Sequence, residues 1–150
     1  MTQNAMDRLR LAALDAEDLQ VISAHVQDAV LIVGDIRYLP KEQKAVFVMN
    51  RFVWDKAADK RSGQHERRRT ALSVARVRDM KVSGIRQDAK ENVLELLAVT
   101  FEEQDAPAGT IRLDFAGGAA LVLTVECIEV QMADLGAAWS TPNLPSHDLD

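Results

Sequence analysis

Six residues carry most of the chemistry that this sequence offers. They are Asn50, Arg51 and Trp54 in the run NRFVW, and Arg67, Arg68 and Arg69 in the run ERRRT. Arginine presents a planar fork of donors that suits carboxylates and phosphates. An amide and an indole nearby add further donors and an apolar face. Together they describe a contact site for an acidic protein segment or a small anion. Each has a structural reading beside the functional one, and residue type alone favours the structural one. Arg67 to Arg69 share residues 55–69, DKAADKRSGQHERRR, with Lys56, Lys60 and Arg61. Asp55, Asp59 and Glu66 dilute the positive field there, as in a solvated loop. Asn50 and Arg51 interrupt an apolar strand, where a structural ion pair or a place at the sheet rim accounts for an arginine as well as a ligand does. Trp139 fits a lid on the core better than an exposed contact.

Other chemistry is hard to find. His25, His65 and His147 have no Cys or His neighbour at metal-ligand spacing, so no metal site is expected. Cys127 follows directly from a strand and has no base beside it to activate a nucleophile, with Glu126 and Glu129 as its acidic neighbours; it reads as a packed free thiol. Gly117-Gly118 joins two strands instead of opening a helix and lacks the lysine and hydroxyl of a phosphate loop. No catalytic motif and no cofactor signature is present. An enzyme would need a site assembled from distant residues, with Asn50, Arg51 and an acid such as Asp35 or Glu95 converging on one pocket.

The strongest element is residues 110–125, TIRLDFAGGAALVLTV. Ile111, Leu113 and Phe115 alternate with Arg112 and Asp114; Leu121, Leu123 and Val125 alternate with Val122 and Thr124. That is strand periodicity on both sides of a glycine turn. A two-residue loop would put Leu121 and Leu123 behind Arg112 and Asp114. A three-residue loop, Ala116 to Gly118, sets Leu113 opposite Leu121 and Ile111 opposite Leu123. The second register collects the large side chains on one face, with Gly118 left-handed.

Around this hairpin the chain reads in order as a short strand at residues 8–13, then an amphipathic helix of about 14 residues. Asp15 is its N-cap and Leu19, Ile22 and Val26 form its apolar stripe. A strand bent at Gly34 runs to Pro40, and residues 44–55 return as a strand that is apolar on both faces and so expected to be covered on both. After the polar loop, Leu72 and Val74 give way to Val77, Met80 and Val82 with a change of phase near Ala75, meaning a bulge or two strands. Residues 93–101 have helical propensity but hairpin spacing, and strand is the reading adopted. Ile128, Met132 and Leu135 sit at helical spacing before Gly136, which predicts a short C-terminal helix. The sum is an α+β domain of six or seven mainly antiparallel strands, residues 1–139, with a PH-like barrel as the specific architecture. Residues 140–150 form a polar, proline-containing tail.

Bulk properties limit the partners. At 150 residues and 47% hydrophobic the chain can bury one core. No apolar run approaches the ~20 residues of a membrane span, the first ten residues lack the apolar segment of a signal peptide, and a single cysteine fits a reducing compartment, so a cytosolic protein is expected. A net charge of −5 argues against nucleic acid as partner. Pairing of identical chains through an exposed strand edge remains an open alternative.

Several of these strings, RLRLAALDAEDL, YLPKE, NRFVW, RRRTAL and above all APAGTIRLDFAGGAALVLTVECIE with DLGAAW, resemble the bacterial family filed as domain of unknown function 2948. The likeness spans nearly all of residues 8–139. It implies a small bacterial cytosolic protein and carries no activity, substrate or site residue with it. The reading that follows is a non-enzymatic binding or adaptor domain for an acidic partner or ligand.

Overall fold

The structure, a computed structural model, describes residues 9–53 and 67–137. Asp15 begins the one α-helix among them, α1 (Ala16–Val26), its side chain accepting a hydrogen bond from the Asp18 amide at 2.8 Å. Glu17 and Asp18 complement the helix dipole in the first turn. Leu19, Ile22 and Val26 turn the predicted stripe into the core. Ser23 of the same helix accepts a hydrogen bond at 2.9 Å from the amide of Val99.

Ten strands make up most of the other described residues: β1 (Arg10–Ala13), β2 (Val30–Ile32), β3 (Ile36–Leu39), β4 (Lys44–Phe52), β5 (Arg67–Val74), β6 (Val77–Ser83), β7 (Val93–Glu103), β8 (Gly109–Phe115), β9 (Ala120–Val125) and β10 (Val130–Ala137). They form one antiparallel sheet in the order β1-β10-β5-β4-β2-β7-β8-β9-β6, with β3 also paired to β4. The bend expected at Gly34 is a 3-10 turn, Val33–Asp35, that splits one run into β2 and β3. The change of phase near Ala75 separates β5 from β6, with Arg76 left-handed at φ 61. Residues 93–103 are strand, as their spacing required.

The β8–β9 hairpin has the expected register. Leu113 pairs with Leu121 and Ile111 with Leu123 across the turn Ala116–Gly118. Gly117 and Gly118 both have positive φ, 85 and 87, a conformation glycine adopts without strain. Ile111, Leu113, Phe115, Leu121, Leu123 and Val125 are all buried.

Three expectations are corrected. The chain from Ile128 to Leu135 does not form a helix: Val130, Met132 and Asp134 point inward from strand β10, and Leu135 is 51% exposed. The misleading signal was Asp134, a charge on the buried row, which hid a period of two behind a chance spacing of three and four. A PH-like barrel is not supported, because among the described residues the sheet is not closed and the stretch expected to form the C-terminal helix is strand β10; the strands among them number ten instead of six or seven. Strand β4 is not covered equally on both faces. Ala45, Phe47, Met49 and Arg51 are buried, while Val46, Val48, Asn50 and Phe52 on the other face are only partly so. The polar tail and Trp139 lie outside the described residues.

Candidate functional site

Strand alternation divides the six candidate residues between two faces of the sheet. In β4, Arg51 continues the inward row of Phe47 and Met49, while Asn50 and Phe52 point outward. In β5, Arg68 and Thr70 continue the inward row of Leu72 and Val74, while Arg67 and Arg69 point outward. The register places Arg51 opposite Arg68, Asn50 opposite Arg69 and Phe52 opposite Arg67. The three arginines of RRRT therefore belong to a strand and have two different environments. Residues 54–66, including Trp54, lie outside the described residues.

On the inner face the core ends in a polar layer of Arg51, Arg68, Thr70 and Asp134, which are the buried polar residues among those described. Arg51 donates to Asp134 through both arms of its guanidinium, Nε to Oδ1 at 2.9 Å and Nη2 to Oδ2 at 2.8 Å. Its third nitrogen, Nη1, reaches the Phe52 carbonyl at 3.2 Å. The Thr70 hydroxyl donates to Asp134 Oδ1 at 2.7 Å and the Leu9 amide to Oδ2 at 3.0 Å. Burial by itself pushes the Asp134 carboxyl up, but the hydrogen bonds from Arg51, Thr70 and Leu9 and the charge of Arg51 together hold it below the ordinary carboxylate value. A carboxylate gripped on both oxygens by donors of its own fold is a structural ion pair, the plainer of the two readings of Arg51.

The outer face is open. The Arg67 guanidinium lies 3.9 Å from the centroid of the Phe52 ring, a cation–π stack of adjacent strands. Burial draws Arg67 below its ordinary value, against the opposing pull of the Glu95 and Asp28 carboxylates. Arg69 reaches the Asn50 side-chain oxygen at 3.4 Å and pairs with Asp35 at 3.3 Å, with the Arg69 side chain 45% exposed. Val30 pairs with both Asn50 and Glu95, so Arg69, Asn50, Val30 and Glu95 form one row across four strands. Beside that row, Ile32 and Val93 face each other across β2 and β7, both exposed. Arginine forks, one amide and a small aliphatic patch thus share a single surface.

Asn50 and Arg51, being neighbours in a strand, cannot meet in one pocket, and the convergence that an enzyme site was expected to need does not occur. The carboxylates Asp35 and Glu95 lie with Asn50, away from Arg51. A cavity of about 90 Å³ between β3 and β6 and an open depression of about 240 Å³ over β1 and β10 are lined by none of the six. Among the described residues no three His, Cys, Asp or Glu side chains are grouped as metal ligands would be. Asp134 and Thr70 were missed as partners of Arg51. A trace of Thr70 stands in the sequence, since strand alternation with Leu72 and Val74 assigns it to the core, whereas Asp134 falls in the stretch whose spacing predicted a helix.

The family comparison extends over this whole region. A family model described as "Protein of unknown function (DUF2948)" matches residues 9–147. The chain belongs to this family. The polar layer, the outward arginines and the β8–β9 hairpin of the DUF2948 chain all fall inside the matched span. A search of curated proteins and a search of solved structures each returned no match. No helix among the described residues of this DUF2948 protein is long and apolar enough to cross a membrane.

Proposed function

We propose that this DUF2948 protein is a cytosolic, non-enzymatic binding or adaptor domain that takes an acidic protein segment on the outer face of β4 and β5. The observation that carries the reading is the placing of Arg67 and Arg69 on one surface beside Asn50, next to the exposed pair Ile32 and Val93. Arginine stacked on an aromatic ring keeps its donor edges available to a carboxylate while its flat face is held in place. The ion pair of Arg69 with Asp35 is exposed and therefore weak, so an incoming carboxylate can exchange with it at little cost. The aliphatic pair adds apolar area that a purely ionic contact would lack.

Arg51 and Arg68 have no part in the contact, because both are buried. The test is fluorescence anisotropy with a labelled peptide alternating glutamate and leucine, at low and at physiological salt. Saturable binding that weakens with salt is expected for the native chain, and loss of that binding for the Arg67→Glu/Arg69→Glu variant with unchanged thermal unfolding. Equal binding by the variant would overturn the reading.

A further inference from the structure

The sheet has a seam. β6 ends the sheet order and β3 pairs only with β4, so among the described residues each of these strands has one edge without a strand partner. These two edges face each other. At one end β6 is tied to the β3–β4 hairpin: the Val77 amide donates to the carbonyl of Gln43, in the turn between β3 and β4, at 2.9 Å, and the Tyr38 hydroxyl of β3 reaches the Arg78 carbonyl at 3.4 Å. From that point they part, and the cavity of about 90 Å³ opens between Ile36 of β3 and Met80 and Val82 of β6, with Leu121 of β9 also in its wall. Gln87 and Lys90 contribute its polar lining, and both are exposed. Nearby, Asp88 pairs with Arg86 at 3.5 Å, whereas Lys90 forms no ion pair among the described residues.

We propose that this seam is a second binding site, which takes an extended peptide segment bearing an aliphatic side chain and, within two positions of it, a carboxylate. Two strand edges supply unpaired amides and carbonyls, and an added strand satisfies such groups while its alternate side chains give specificity. The cavity between them accommodates one side chain of valine or leucine size, since a cavity of about 150 Å³ is what benzene occupies in an engineered core. Lys90 at its mouth selects the charge of the neighbouring residue. The site uses no residue of the arginine-bearing face and does not depend on the function proposed for it.

The test is selection of a random heptapeptide library on the full chain, followed by amide chemical-shift mapping with the best peptide. Enriched sequences are expected to combine an aliphatic residue with Asp or Glu no more than two positions away, and to shift the amides of Ile36–Leu39 and Met80–Ser83. Val82→Trp, which fills the cavity, should weaken the selected peptide at least about tenfold. Lys90→Glu changes only an exposed side chain, so the fold is retained, and selection on it should favour Lys or Arg in place of the acid. Arg67→Glu/Arg69→Glu should bind the peptide as the native chain does. The proposal is overturned by a library that enriches nothing, by a peptide that binds Val82→Trp equally well or Lys90→Glu without a change of preferred charge, or by shifts confined to the arginine-bearing face.

Discussion

Arg51 and Asp134, 83 positions apart in the chain, meet in a two-armed ion pair with N–O distances of 2.9 and 2.8 Å, and neither side chain is more than 4% exposed. The pair joins β4 to β10 across the intervening β5, whose Thr70 completes the grip on the carboxylate. The Leu9 amide binds the same carboxylate and the Leu9 carbonyl accepts from the Asp134 amide at 2.9 Å, which ties the start of β1 to the layer. Four segments remote in sequence are therefore held by one aspartate.

Breaking this pair from one side leaves a buried charge without its counterpart, which typically costs about 3–5 kcal/mol. Asp134→Ala should lower the unfolding free energy by that amount in urea titrations. Arg51→Met/Asp134→Leu, which removes both charges, should cost much less than the two single changes added. A strictly additive double variant would mean that the two side chains do not interact.

The pH dependence follows from the depressed pKa of Asp134. A carboxyl whose folded value lies below its unfolded value, about 3.9, binds more protons unfolded than folded. Its contribution is therefore complete above that unfolded value and is lost as pH falls through the lower folded one. Melting temperatures of the native chain and Asp134→Asn should differ by a constant amount at neutral pH and converge in strong acid. Thr70→Val, which removes one of the stabilising hydrogen bonds, should move the convergence to higher pH.

Adjacent arginines should respond to the same change to very different extents. Arg68 is 6% exposed, so Arg68→Glu places a carboxylate where the fold buries a guanidinium and should destabilise by more than about 3 kcal/mol. Arg69 is exposed, and Arg69→Glu should stay within about 0.5 kcal/mol of the native chain. Chemical denaturation of the two variants measures the difference. Similar losses in both would contradict the alternation assigned to β5.

Gly109 lies where β8 begins, against the end of β7. A Cβ there would clash with the Glu102 carbonyl oxygen and come within 2.6 Å of the Phe101 ring. Since one of these neighbours is backbone, Gly109→Ala should force the β7–β8 pair apart and cost about 1–3 kcal/mol as an overpacked site. Gly117→Ala meets no atom within 4 Å and should cost only the positive φ, about 1–2 kcal/mol. Thermal unfolding of the two variants compares steric with conformational strain.

Local pattern was sufficient wherever neighbours in sequence are also neighbours in the fold. The helix beginning at Asp15, the split near Ala75, the strand at residues 93–103 and the register of Leu113 on Leu121 all follow from period, capping and turn chemistry. The same reasoning reached Asn50, Arg51 and the three arginines by residue type, and named an ion pair as one account of Arg51. It failed at Asp134, because a buried charge departs from the apolar alternation by which a strand is recognised.

What the amino-acid order determined alone was therefore the set of elements that bury apolar side chains at regular intervals. The tertiary structure decided which charges are paired inside and which remain outside. Arg51 and Asp134 are tolerable in the interior only together, and their meeting depends on the order β10-β5-β4, a relationship between strands that no single strand encodes. The division of Arg67, Arg68 and Arg69 has the same origin: three like residues in a row become alternately exposed and buried once one face of β5 is committed to the core.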